Sequence, residues 1–117
     1  MSADAATWIY GDKDSSLIVT LKDSTGAAID LTGATNITIV FEKIGGVSAG
    51  TLTGSIYGTA TNGQARFVSI AMDSEIADPG PGRIDRYRAR VKWLRSGNTD
   101  YSWSRGEVAF GIRRFPA

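Results

Sequence analysis

The chain contains no cysteine and no histidine among its 117 residues. The fold therefore relies on neither disulfide bonds nor thiolate metal ligands, and the commonest general base is missing. Apolar residues never reach the run of roughly 18 that a membrane-spanning helix needs, and the opening MSADAATWIYGDKD lacks the pattern of a signal peptide. The sequence predicts a soluble protein that is made inside a cell and has no membrane partner.

Motifs for catalysis and cofactor binding are missing as well. We find no nucleophile elbow, no phosphate-binding glycine loop and no paired carboxylates in a motif context. Asp73, Glu75 and Asp78 share one loop but lack the glycine-centred spacing of a calcium loop, which favours a solvated loop. The prediction is a non-enzymatic protein without catalytic residues, metal or cofactor. A glycosidase-like carboxylate pair stays open, because sequence does not show the distance between carboxylates.

The charges are distributed unevenly along the chain. Residues 1–58 contain three Lys or Arg against six Asp or Glu, whereas residues 59–117 contain ten against six. Such asymmetry suits a nucleic-acid-binding protein, and it equally suits a protein packed among neighbours with complementary surfaces.

Short alternating segments separated by turn signals predict an all-β fold. Two of the clearest are Ser16 to Lys22 and Asn36 to Lys43, in which every second residue is apolar. The length and the apolar content fit one domain. We predict a single immunoglobulin-like antiparallel β-sandwich of about seven strands over residues 1–117, with residues 1–6 as a flexible N-terminal arm. The cysteine and tryptophan hallmarks of antibody domains are absent.

The remaining strands are predicted from weaker sequence patterns. Thr51 to Tyr57 is predicted as one edge strand, and Asn62-Gly63 as a hairpin turn. The last two strands, 83–95 and 100–113, are predicted to form a hairpin. Tyr101 and Trp103 occupy odd positions, whereas Val108, Phe110 and Ile112 occupy even ones. If both sets face inward, a one-residue bulge is required between Ser104 and Glu107.

The segment RIDRYRARVKW, from Arg83 to Trp93, alternates cations with apolar residues. As a strand it places Arg86, Arg88, Arg90 and Lys92 on one face, opposite Tyr87, Ala89, Val91 and Trp93. Our hypothesis is that the four cations meet an acidic surface of a neighbouring subunit. The alternative is a solvated face partly paired with Glu107 or other carboxylates, and phage DNA is the less favoured partner.

The three tryptophans, Trp8, Trp93 and Trp103, have two possible roles. They could form a sugar-stacking platform, as in carbohydrate-binding modules. Alternation instead predicts Trp93 and Trp103 on the apolar faces of their strands, which favours packing in the core or an interface.

The first half of the chain resembles a known family. Its pattern is a Gly11-Asp12 start, an alternating strand, an Asp23 to Gly26 turn and the motif DLTGA at 30–34 before a second alternating strand. This pattern is similar to the immunoglobulin-like N-terminal domain of tailed-phage baseplate upper proteins and of related small phage structural proteins. The later GRIDRYRARVKW and the closing strand resemble the terminal hairpin of that family. The DLTGA motif itself reads as a tight connection between strands.

The resemblance implies a structural protein of a tailed-phage virion, made in the cytoplasm of the bacterial host. Its place would be the tail and baseplate, or the capsid as a decoration (cement) protein. Its partners would be other virion proteins, such as capsid or tail and baseplate subunits, or copies of itself. Baseplate upper proteins continue into a stalk and a further domain, whereas this chain stops at Ala117, so we expect it to correspond to the docking module alone and not to recruit a receptor. The alternatives are a carbohydrate-binding β-sandwich and, less favoured, a nucleic-acid-binding β protein.

Overall fold

The computed structural model describes residues 6–47 and 49–114, and these residues form two β-sheets. The predicted all-β sandwich is confirmed. Two single-turn 3-10 helices, Ala60–Asn62 and Ile70–Met72, lie in the connections. The nine strands of the described residues are β1 (Ala6–Ile9), β2 (Ser16–Thr20), β3 (Thr35–Lys43), β4 (Ala49–Thr53), β5 (Ser55–Ile56), β6 (Gln64–Val68), β7 (Ile84–Leu94), β8 (Tyr101–Trp103) and β9 (Val108–Arg113).

The larger sheet, sheet A, has the strand order β1-β9-β7-β3-β4, and β8 also pairs with β7. The smaller sheet, sheet B, has the order β2-β6-β5. This arrangement, with β9-β7-β3 in one sheet and β2-β6-β5 in the other, is that of an immunoglobulin-type sandwich. Sheet A is mixed and not purely antiparallel as predicted, because β1 runs parallel to β9.

The predicted N-terminal arm covers residues 1–6, but its last residue belongs to the strand that pairs with β9. Ala6 is the first residue of β1 and lies opposite Phe110 of β9. Residues 1–5 lie outside the described residues.

The core lies between the sheets and follows the alternation that the sequence predicts. In β3, Ile37, Ile39 and Phe41 are buried while their neighbours are more exposed. The rings of Tyr87 and Phe110 are stacked with centroids 5.1 Å apart, and Phe41 meets each of them edge-on at 6.0 Å. Aromatic pairs in these geometries add to the stabilisation from burial. This aromatic cluster thus joins β3, β7 and β9, which are neighbouring strands of sheet A.

The predicted strand Thr51 to Tyr57 is in fact divided at Gly54. The residues before Gly54 belong to β4 in sheet A, and those after it belong to β5 in sheet B. A side chain is excluded here, because a Cβ on Gly54 would lie 2.5 Å from the carbonyl oxygen of Arg66. The prediction of one strand was therefore wrong: the chain changes sheets where only glycine fits. Asn62-Gly63 ends a 3-10 turn in the connection between β5 and β6. These two strands pair antiparallel, so the predicted hairpin is confirmed.

Two Asp-Thr pairs fix turns in the connection between β2 and β3. Asp23 Oδ1 accepts hydrogen bonds from the backbone and hydroxyl of Thr25, at 2.8 and 2.6 Å. Asp30 Oδ1 accepts the equivalent bonds from Thr32, at 2.9 and 2.6 Å. Leu31, between Asp30 and Thr32 in sequence, is fully buried and belongs to the core. The predicted architectural role of the DLTGA motif is confirmed.

Candidate interaction face

Strand β7 places four cations on the outer face of sheet A, and we call Arg86, Arg88, Arg90 and Lys92 the basic stripe. The three arginines are exposed and Lys92 is half-buried. The intervening Tyr87, Ala89, Val91 and Trp93 are buried against sheet B. The predicted strand is confirmed, and so is the predicted face of each of these residues. Successive side chains of a strand point to opposite faces, so the cations are on the solvent side and the apolar residues are on the buried side.

Two cations of the stripe have partners within the chain. Arg88 lies opposite Glu42 of β3, and its Nε is 2.5 Å from Glu42 Oε1. Both side chains of this ion pair are more than half exposed, at 55% and 52%, so the pair adds little to stability. Lys92 places its ammonium group 4.2 Å from the ring centroid of Tyr101 and 5.5 Å from that of Trp103.

The other two cations are available to a partner molecule. Within residues 6–47 and 49–114, neither Arg86 nor Arg90 has a side-chain hydrogen bond or an ion pair. Their guanidinium groups can each make a two-pronged contact with a carboxylate or phosphate without breaking a contact inside the domain.

The position of Trp103 corrects the prediction made from alternation. Trp103 is 50% exposed and Tyr101 is 39% exposed, and both lie on the outer face of sheet A beside the stripe. Trp93, by contrast, is 2% exposed and packs in the core as predicted. The prediction that Trp103 faces inward was wrong, because it assumed that every aromatic residue of the hairpin points to the core.

The predicted last strand, residues 100–113, is interrupted where the sequence predicts, but the interruption is not a one-residue bulge. Ser104 pairs with Val91: its N–H donates to the Val91 carbonyl at 2.8 Å, and its Oγ accepts from the Val91 N–H at 3.0 Å. The next pair is Ala89 with Val108, so residues 105–107 stand opposite Arg90 alone. The break thus adds two residues and not one. Two extra residues keep the alternation in phase, so Tyr101 and Trp103 remain on the outside.

The break also opens a shallow pocket beside the stripe. Its volume is about 250 Å³, and its polar and aromatic lining comes from Glu42, Arg88, Arg90, Trp103 and Glu107. Cations, carboxylates and an indole ring therefore meet on one open surface. We call the basic stripe together with Tyr101 and Trp103 the docking face. The alternation of β7 predicts the stripe, but the outward position of the two rings was missed. Their signal is an odd position in a segment whose buried apolar residues, Val108, Phe110 and Ile112, are even-numbered.

The loop carboxylates considered as cation ligands serve the local backbone. Asp73 accepts a hydrogen bond from the N–H of Glu75 at 2.9 Å. Asp78 accepts one from Gly80 at 2.9 Å and pairs with Arg114 through its other oxygen. Across the part of the chain that the structure describes, no cluster of three potential metal-ligating side chains occurs. Nor does any helix of that part have the length and apolarity to cross a membrane.

No family model, no curated protein and no solved structure matches this chain. The fold and the face define a class in physical terms: a β-sandwich of immunoglobulin-type strand order with one open, charged and aromatic sheet face. The likeness to phage proteins stands on the sequence motifs alone.

Proposed function

We propose that the protein is a non-enzymatic structural protein of a tailed-phage virion that binds neighbouring subunits through the docking face. The location is the tail and baseplate or the capsid surface, where it acts as a decoration protein. The partner surface is acidic, and the contact is repeated around the symmetry of the particle, so that weak individual contacts add up.

The composition of the docking face is the observation that carries this proposal. Arg, Trp and Tyr are the residues most enriched at the energetic centres of protein interfaces. Here they lie on one sheet, with two guanidinium groups that are unpaired within the described residues and two rings that are 39% and 50% exposed. The aromatic rings supply apolar area to bury, and the unpaired arginines supply charge and geometric specificity. The resemblance in the first half of the chain supports the virion assignment.

Reversing the charge of the two unpaired arginines tests the proposal. The double variant Arg86→Glu with Arg90→Glu breaks no ion pair within the described residues, so the fold is expected to stay intact. A matched control, Lys13→Glu with Arg83→Glu, changes the net charge equally at exposed positions that are not part of the docking face. We expect the first variant to lose incorporation into purified phage particles and the control to keep it. Equal incorporation of both variants would contradict the proposal.

Carbohydrate binding is the second candidate, and the exposure of Trp103 favours it. Tyr101 and Trp103 are two residues apart on one strand face, and a pyranose ring can stack on such rings while Arg90 or Glu107 bonds its hydroxyl groups. Binding to a glycan array that disappears in Trp103→Ala, with normal incorporation of Arg86→Glu/Arg90→Glu, would select this function.

DNA binding is less favoured on the same face. Glu42 already neutralises Arg88, and Glu107 lines the pocket beside Arg90, so a phosphate backbone would meet carboxylates as well as cations. Strong DNA binding that weakens steeply with salt would reverse this order.

A further inference from the structure

Strand β2 is a free edge of sheet B. Among the described residues it pairs with β6 alone. Leu21 N–H donates to the carbonyl of Gly63, and Ser69 N–H donates to the carbonyl of Ser15, so the odd-numbered residues of this strand bond to β6. Because bonding alternates along an antiparallel strand, the even-numbered residues direct their N–H and C=O groups away from the sheet. These residues are Ser16, Ile18 and Thr20.

This edge lacks the features that usually keep strand edges from pairing. The strand SLIVT has no charged residue, no proline and no bulge in its register with β6. On the outer side of the edge, Ile18 is 39% exposed, and Val68 on β6 is 52% exposed. An added strand would therefore meet unpaired backbone groups and exposed apolar side chains together.

A cleft opens between the two sheets at the same edge. Its volume is about 400 Å³, and its apolar lining comes from Val19 of β2, Leu21 just after β2 and Val108 of β9. Lys22 and Asp23 add charged groups at its rim. Ser104 and Arg105 of the strand break form part of the opposite wall. A strand placed beside β2 would direct every second side chain toward this cleft.

We infer that the free edge of β2 accepts an extended segment of a neighbouring subunit as a fourth strand of sheet B. That the added segment comes from a virion subunit rests on the proposed function. That β2 can pair with an added strand does not. The segment makes main-chain hydrogen bonds to Ser16, Ile18 and Thr20. Its inward residues are apolar and fill the cleft, and its outward residues pack beside Ile18.

A peptide experiment tests the edge itself. The probe is a blocked seven-residue peptide of alternating threonine and valine, added to the isotope-labelled protein. We expect saturable binding, with slowed hydrogen exchange at the amides of Ser16, Ile18 and Thr20. Ile18→Pro removes one outward N–H and should weaken binding at least tenfold. A second variant, Ile18→Lys, adds an edge charge and should weaken binding while it keeps the N–H.

Thr51→Pro is the matched control. Gly54 N–H donates to the carbonyl of Ile37, so Thr51 of β4 also directs its N–H away from its sheet. The control should bind the peptide like the unmodified protein. Failure of the peptide to slow exchange at the β2 amides, or equal loss of binding in Thr51→Pro, would overturn the inference.

Hydrogen exchange on purified particles separates this inference from the proposed function. Slow exchange at Ser16, Ile18 and Thr20 in the particle, with fast exchange in the isolated protein, supports both. Normal incorporation with fast exchange at these amides overturns the inference and leaves the proposed function standing. If the protein binds the peptide but is absent from particles, β2 does accept an added strand, and the virion assignment is refuted.

Discussion

The ammonium group of Lys92 lies 4.2 Å from the centre of the Tyr101 ring, and the indole of Trp103 flanks the same group at 5.5 Å. These contacts join the basic stripe to the exposed rings across the β7–β8 pairing. A cation held over an aromatic face at a partly exposed site contributes about 0.5–1 kcal/mol. The contacts therefore order Tyr101 and Trp103 on the outside of the sheet, where a partner can reach them.

The two tryptophans of the terminal hairpin should differ sharply in their effect on stability. Trp93→Ala removes a side chain that is 2% exposed, and we expect it to lower the free energy of unfolding by about 3–5 kcal/mol. Trp103→Ala removes a half-exposed ring and one contact with Lys92, and we expect a loss of about 1 kcal/mol or less. Urea unfolding followed by circular dichroism measures both. Similar losses in the two variants would restore the inward placement of Trp103.

Ser104 should be the residue that stabilises the strand break. Its Oγ accepts a hydrogen bond from the buried N–H of Val91 and donates one to the carbonyl of Gly106 at 3.2 Å. Ser104→Ala leaves the Val91 N–H unsatisfied, so we expect a loss of about 1–3 kcal/mol. The control is Ser102→Ala, two residues earlier in β8. A loss no greater than that of the control would show that the break does not depend on this hydroxyl.

Local alternation predicted the buried residues of β3 and β7, because from Ile37 to Phe41 and from Tyr87 to Trp93 every second side chain is buried. It failed for Trp103, since an aromatic residue on an open face breaks the rule that large apolar side chains point inward, and such exceptions gather at functional surfaces. Pairing of the stripe with carboxylates was one of the alternatives, but Glu42 could not be identified as the partner of Arg88. That ion pair depends on the register between strands that are 46 residues apart in sequence.

The turn of Asp30 should titrate in a way that depends on Thr32. The pKa of Asp30 is lowered from 3.8, first by the hydrogen bond from the Thr32 hydroxyl and then by that from its backbone N–H. Thr32→Val removes the first bond and should raise the pKa of Asp30 toward its ordinary value. Carbon-detected NMR titration of the Asp30 carboxylate measures this change.

The sign of the accompanying stability effect follows from the direction of the shift. Because the folded pKa lies below the unfolded one, the Asp30 contribution is present above about pH 4 and is lost as the pH falls through the folded pKa. Thr32→Val should therefore reduce stability at neutral pH and have less effect in acid. Thr25→Val is the control, because it should raise the pKa of Asp23 and leave that of Asp30 unchanged. An unchanged Asp30 pKa in Thr32→Val would contradict the assignment.

Gly54, where the chain crosses from β4 in sheet A to β5 in sheet B, should be the residue of this crossing that tolerates substitution least. Its N–H donates to the carbonyl of Ile37 at 2.8 Å, which anchors the end of β4. A Cβ at this position would lie 2.5 Å from both the Arg66 carbonyl oxygen and the Phe67 Cδ1. Phe67 is fully buried and Arg66 contributes backbone, so neither can move aside without disturbing β6.

We therefore expect Gly54→Ala to lower the free energy of unfolding by about 1–3 kcal/mol or more, as overpacked sites do. Ser55→Ala, at the exposed neighbouring position, should change it by less than about 0.5 kcal/mol. Urea unfolding of both variants provides the comparison. If Gly54→Ala proved as stable as Ser55→Ala, the two sheets would have to be farther apart at this crossing than the structure places them.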